Sequence, residues 1–220
     1  MKQVLITGAN RGIGLELARH YAANGWQVIG VCRQTSSELE SVAKKVVQGI
    51  DVTQVTNVER LVSAVSGEQI DLLINNAGLL QDEQLGSIDF DSIRGQMEIN
   101  AYAPLRVTEA LLPNMAAGGK IALITSRMGS IADNDSGGRY GYRASKAALN
   151  AFGKSLSIDL KARGIAVVLL HPGYVKTRMV NFGGFITPEE AAAGLAARID
   201  GLTLENTGSF WHSNGDALPW

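Results

Sequence analysis

Val4-Leu5-Ile6-Thr7-Gly8-Ala9-Asn10-Arg11-Gly12-Ile13-Gly14 stands near the start of the 220-residue chain and decides how the rest of it is read. Val4 to Ile6 is a short, wholly apolar run rich in β-branched residues, the pattern of a strand buried on both faces of a parallel sheet. Glycines follow at 8, 12 and 14, and over 13–24 the apolar residues recur at helical spacing until Gly25 provides a stop. The glycine order differs from G-x-G-x-x-G, but the physics is shared. A tight turn lets the backbone approach a pyrophosphate closely, and a helix N-terminus points its amides at anionic oxygens. An ordinary strand-to-helix turn also uses glycine. The position directly after the first strand tilts the reading toward a nucleotide.

Outward from this turn the pattern repeats. Apolar runs predict strands over 4–6, 27–31, 46–50, 72–74, 121–125, 165–170 and 208–211. Helical spacing predicts helices over 13–24, 39–47, 55–65, 88–99, 101–115, 142–163 and 188–199, the last with Pro188 in its first turn, where a missing N–H costs nothing. Strands alternating with helices mean βαβ units and a parallel sheet covered on both faces. The expected fold is a single α/β domain over 1–220, a Rossmann-type doubly wound seven-stranded parallel sheet with helices on both faces. The polar, glycine-rich stretch 133–138 reads as a flexible loop.

The bulk numbers exclude several classes. With 20 Lys+Arg against 21 Asp+Glu, the net charge of −1 offers no basic patch for nucleic acid or an anionic membrane. No run of about twenty apolar residues is present, so no membrane span is expected, and the few apolar residues after Met1 are too short for a signal peptide. One cysteine, Cys32, rules out an internal disulfide and points to a reducing, cytoplasmic home. His20, His171 and His212 are scattered without ligand spacing, so no metal site is expected.

The end of the second strand indicates which nucleotide. NAD sites place an acidic residue there, about twenty positions after the glycines, to take the ribose hydroxyls. Here the place holds Cys32 and Arg33, and no Asp or Glu follows until Glu38. A carboxylate would repel a 2′-phosphate, whereas a guanidinium pairs with it in a fork. Arg11, inside the turn, offers a second cation. NADP(H) is the expected cofactor, with NAD(H) disfavoured.

Tyr142 and Lys146, four apart at the start of a long helix, share one face. The pair alone is common on surface helices, and its weight comes from its neighbours in the sequence. The fifth strand ends in Thr125-Ser126, at the edge where open parallel sheets bind ligands, and a serine hydroxyl there can hold a substrate oxygen. The fourth ends in Asn75-Asn76-Ala77-Gly78, small enough for a cofactor to approach. Asn100 precedes Pro104 in what reads as a local helix break, and can hold a water that hands protons to the lysine. The sixth strand runs into His171-Pro172-Gly173 and then Thr177, which can flank a nicotinamide.

Taken together the chain resembles a short-chain dehydrogenase/reductase over essentially its whole length. TGANRGIG at 7–14, Asp51-Val52, NNAG at 75–78, Asn100, Ser126, YRASK at 142–146 and Pro172-Gly173 stand in the family's order. ITSRMGSIADN at 124–134 and GSFWHSNGDALPW at 208–220 look closest to the C-factor and sniffer-like carbonyl reductases. The resemblance implies roles. Tyr142 would be the acid/base and Ser126 would orient a carbonyl or alcohol substrate. Lys146 would bind the nicotinamide ribose and lower the tyrosine pKa, and Asn100 would support a proton relay. Gly8, Asn10, Arg11, Gly12, Ile13 and Gly14 would cradle the cofactor and Arg33 would take its 2′-phosphate. Asp51 would meet the adenine amino group beside Val52, and Asn75, Asn76, Ala77 and Gly78 would line the adenosine side. Pro172, Gly173, Val175 and Thr177 would border the nicotinamide carboxamide. It also implies a homodimer or homotetramer joined through the helices at 101–115 and 142–163.

Two departures from the family stand out. Ser126 lies 16 residues before Tyr142, more than the family norm, which makes Ser130 a rival. Tyr140 is close as well, but only Tyr142 has a lysine four ahead. The segment between Thr177 and Pro188 is short, so an open pocket with loose substrate choice is expected. A nucleotide-binding signalling or redox-sensing protein with little catalysis is the alternative reading. The complete Tyr, Lys, Ser and Asn set argues against it. An extended sugar-nucleotide epimerase is disfavoured by the glycine spacing and the chain length.

Overall fold

A computed structural model describes residues 1–220. Seven strands, β1 (Gln3–Thr7), β2 (Gln27–Val31), β3 (Lys45–Val47), β4 (Ile70–Asn75), β5 (Met115–Ile124), β6 (Ala166–His171) and β7 (Ser209–His212), form one sheet in the order β3-β2-β1-β4-β5-β6-β7. Every adjacent pair is parallel. The helices are α1 (Gly12–Ala23), α2 (Ser37–Glu40), α3 (Val55–Ala64), α4 (Phe90–Met97), α5 (Ala103–Leu111), α6 (Tyr140–Asp159) and α7 (Pro188–Asp200). No helix is long and apolar enough to cross a membrane.

The wholly apolar strands are explained by two cores, one on each face. Leu5, Ile29, Leu73, Ile121 and Leu169 point to the face covered by α3, α5 and α6, where Leu61, Val107 and Leu149 meet them. Val4, Ile6, Val28, Leu72, Ile74 and Leu170 point to the other, beneath Leu17, Ala18, Leu39, Leu195 and Ile199 of α1, α2 and α7. Each buried Leu or Ile is worth about 1.5–3 kcal/mol, so both faces must be covered for the sheet to be stable. The register aligns the strand ends: Thr7 pairs Val31, Asn75 pairs Leu123, Ile124 pairs Leu170 and His171 pairs His212. The strand ends singled out for chemistry therefore leave the sheet at one edge, beside the switch in strand order between β1 and β4.

Local chemistry moved several boundaries. The helix expected over 39–47 is four residues long, capped by the Ser36 hydroxyl, because the chain must return as β3 from Lys45. β3 ends at Val47, since Gly49 turns the backbone at φ 72°. Pro113 lies in a 3-10 turn after Leu111, so α5 stops short of Met115, which instead opens β5 well before residue 121. Between α4 and α5 the chain widens into one π-turn, Glu98–Tyr102, at the place where a break was expected.

Candidate active site

The first turn is built to receive an anion. Gly8 and Gly12 sit at φ 67° and 55°, in the left-handed region that L side chains avoid. A Cβ on Gly14 would lie 2.3 Å from the Gly8 carbonyl oxygen and 2.6 Å from Nδ2 of Asn76. Arg11 begins α1 in extended conformation with no side-chain cap, and the first turn of the helix holds no acid. The helix thus ends in uncapped amides at its positive pole, which suits a pyrophosphate. Asn76 fixes the turn from the neighbouring strand: its Nδ2 donates to the carbonyls of Thr7 (3.0 Å) and Gly8 (3.2 Å), and the N–H groups of Asn76 and Ala77 donate to the Thr7 hydroxyl.

A cleft of about 630 Å³ runs from this turn along the sheet edge to Tyr142 and Lys146. Arg11 and Arg33 line its end at β1 and β2 with no ion-pair partner, and Asp51 is the only acid among the lining residues. One Asp51 oxygen is occupied by the N–H and hydroxyl of Thr53, at 3.0 and 2.7 Å. Gly8, Asn10, Gly12, Ile13, Gly14, Val52, Asn76, Ala77, Gly78, Pro172 and Thr177 also line the cleft. A separate hollow of about 200 Å³ lies between the end of α7 and β7, away from this chemistry.

At the other end, α6 turns Tyr142 and Lys146 inward on one face, with Nζ 5.8 Å from the centre of the phenol ring. Lys146 donates to the Ile124 carbonyl at 2.9 Å, and the missing side chain of Gly78 leaves room for Oδ1 of Asn100, from which a Cβ would lie 3.1 Å away. Ser126, just beyond β5, is 5 % exposed, lies close enough to Tyr142 to lower its phenol's pKa and accepts the N–H of Met128 at 3.1 Å. Ser130, the rival, is also buried and receives the N–H of Asp133 in a turn; neither serine is among the residues that line the cleft, and Tyr140 lies on the exposed first residue of α6.

Burial sets the electrostatics here. It raises the Tyr142 phenol above its ordinary value, while the Ser126 hydrogen bond and the Arg139 charge pull the other way. Burial also pushes the Lys146 ammonium down to about 7. For Tyr142 desolvation of the phenolate is the largest influence, and the acidification expected from Lys146 is not among the effects that shift it here. The phenol holds its proton more firmly than a free tyrosine.

Three further expectations need adjustment. Asn75 does not line the cleft; it is buried and its amide donates to the Thr108 hydroxyl at 3.1 Å. Val175 is buried in a bridge to Ile186, and Gly173 lies beside that bridge with φ 93°, so both shape the wall from behind. Asn100 is fully buried in the π-turn, where its side chain accepts the N–H of Leu79 (2.8 Å) and donates to the Leu79 carbonyl (2.7 Å) and the Ser145 hydroxyl (3.0 Å). Its amide braces the loop after β4: both Nδ2 hydrogens are engaged, while Oδ1 accepts one bond and keeps a second acceptor site. The sequence reading missed Leu79, Leu80, Ile99, Lys176, Arg178, Met179 and Phe182, all on the cleft wall. Their only signal was position, directly after strand ends or in the short segment before α7.

Residues 2–183 match the family described as short chain dehydrogenase. The chain belongs to that family. It is 43 % identical, over all of both chains, to a 1-hydroxy-2-glutathionyl-2-methyl-3-butene dehydrogenase from Rhodococcus sp. (strain AD45). It is 44 % identical to the C-signal protein of Myxococcus xanthus over 69 % of this chain and 93 % of that one. Among solved structures it is similar to the NADPH-bound carbonyl reductase from chicken fatty liver, with a TM-score of 0.89 and 30 % identity, covering 100 % of this chain and 99 % of the other. Family and site agree on the chemistry: the chain is an oxidoreductase.

Proposed function

We propose that this protein is an NADP(H)-dependent carbonyl reductase, moving a hydride between the nicotinamide and a small carbonyl or alcohol. The observation that carries the reading is the buried Tyr142–Lys146 pair beside Ser126, in the same cleft as an uncapped helix end and two unpaired arginines. Bound NADPH would supply the hydride. The α1 amides would hold its pyrophosphate, Arg11 and Arg33 its 2′-phosphate, Asp51 its adenine and Lys146 its ribose. NAD(H) lacks the phosphate that the two arginines suit and is disfavoured.

The rest of the step falls to the chain's own groups. Ser126 and Tyr142 hold the substrate oxygen from one side. Tyr142, protonated at neutral pH like any tyrosine, donates its proton to that oxygen as negative charge develops. The test is NADPH oxidation with a panel of activated ketones, aldehydes and quinones. Tyr142→Phe should lower turnover by about 10²–10⁴-fold while NADPH still quenches protein fluorescence with unchanged affinity. A Phe variant with native turnover would remove Tyr142 from the reaction. No observation favours the signalling alternative over a site whose catalytic set is complete.

A homodimer or homotetramer paired through α5 and α6 fits the apolar side chains left on that face, among them Tyr102 and Ile158. A cytoplasmic home suits a chain whose one cysteine is free and buried. A single domain over 1–220 suits the unbroken sheet.

A further inference from the structure

The helix that carries Tyr142 and Lys146 has no cap of its own. Arg139, the residue before it, is held at φ 50° and offers no side-chain acceptor, and the first turn contains no acid. The opening amides of a helix lack partners within it and must find them elsewhere. Here the partner comes from the loop after β4. Glu83 accepts the N–H of Gly141 at Oε2 (3.0 Å), and its backbone carbonyl accepts the N–H of Arg139 (3.2 Å). Its other oxygen accepts from the Ser92 hydroxyl (2.7 Å) and from the Gln96 amide on α4. Gln96 in turn accepts the N–H of Gln81 at 3.0 Å, which fixes the same loop.

Glu83 is 3 % exposed and takes part in no ion pair. A buried carboxylate without a cation is costly, and what compensates it here is the positive end of a 20-residue helix together with neutral donors. Gly141 makes the approach possible: a Cβ there would lie 2.6 Å from Nε2 of Gln96 and 2.9 Å from Oε1 of Glu83. The next residue along is Tyr142.

We infer that Glu83 is a positioning residue for the reaction: it ties the first turn of α6 to α4 and to the loop after β4, and so holds the Tyr142 phenol against Ser126. The inference rests on the reading of Tyr142 as proton donor. Its test is steady-state NADPH oxidation by the full chain with an activated ketone, alongside NADPH affinity by fluorescence quenching. Glu83→Ala should lower kcat by about tenfold to a hundredfold, with KM for the ketone and the NADPH Kd within about twofold of wild type. Glu83→Gln keeps an oxygen that can accept from Gly141 and should recover most of the lost kcat.

Gly141→Ala supplies an independent variant. Alanine favours the helix, yet its methyl should push the carboxylate off the helix end and depress kcat in the same way. If Glu83→Ala fails to fold, Gly141→Ala decides. A folded Glu83→Ala or Gly141→Ala enzyme with native kcat overturns the inference, as does a loss that appears only as weaker NADPH binding. Wild-type protein that binds NADPH but turns over no carbonyl overturns the proton-donor reading instead.

Discussion

In the proposed function Arg33 is the side chain on which much of the choice between two cofactors would rest. It lines the cleft just after β2 without an acidic partner, where NAD sites place a carboxylate. A charge-assisted hydrogen bond to a phosphate is worth about 1.5–3 kcal/mol. Arg33→Asp should therefore weaken NADPH binding by about tenfold or more while NADH binding holds or improves, as read by titration with both nucleotides. Equal loss for both would assign Arg33 a role in folding the β2 end. His171 makes a different prediction. Desolvation, then the neighbouring His212, push its imidazole from 6.5 down to about 3, and its Nδ1 has no partner. Above the unfolded value both states are neutral and the fold keeps its full stability. Between there and about 3 only the unfolded chain binds the proton, so stability falls as pH falls, by at most about 1.4 kcal/mol per unit. The urea midpoint should drop on going from about pH 7.5 to about pH 5, and His171→Gln should flatten that slope. An unaltered slope in the variant would move the effect to other groups.

Elements show what a sequence can and cannot announce. The phosphate turn was legible because its glycines are demanded by backbone geometry that no other residue meets cheaply, and the Tyr142–Lys146 pair because helical spacing alone fixes a shared face. β5 was read too short because its first half, Met115 to Gly119, is small and glycine-rich, and pairs only by a register shift near Ile70. That Asn100 also braces the loop after β4 was not legible, since nothing local says that its side chain will meet Leu79, 21 positions away. Glu83 left no sequence signal at all. A lone glutamate in a polar loop becomes a helix cap only once α4 and α6 are packed together. The turn also carries a prediction at its own scale. Gly14→Ala places a methyl 2.3 Å from the Gly8 oxygen, a clash with backbone that only movement of the turn can relieve. Stability should fall by about 1–3 kcal/mol and NADPH affinity with it, measured by urea unfolding and fluorescence titration. A variant with native affinity would mean that the turn does not approach the cofactor.

For the whole molecule, the two faces of the sheet are covered, but the outer surface around α5 and α6 is not polar throughout. Tyr102, at the end of the π-turn, is 44 % exposed and stacks on Phe152 of α6 with ring centres 6.3 Å apart, and Ile158 on the same helix is 66 % exposed. Scattered apolar residues on a surface are ordinary; an aromatic pair joining the π-turn to α6 is the kind of anchor on which the proposed association would draw, since aromatic anchors dominate binding energy at interfaces. The same helix carries Tyr142 on its inner face, so association there would stiffen the element that holds the proton donor. Sedimentation at micromolar concentration should give at least twice the 23.4 kDa chain mass. Tyr102→Glu, which plants a charge in the middle of that surface, should cost about 2 kcal/mol or more of association energy and shift the protein toward monomer. If association contributes to ordering α6, kcat should fall on dilution of the variant before NADPH binding does. A protein that sediments as a monomer with native turnover would leave α5 and α6 as a solvated face and free the catalytic helix from any dependence on a partner.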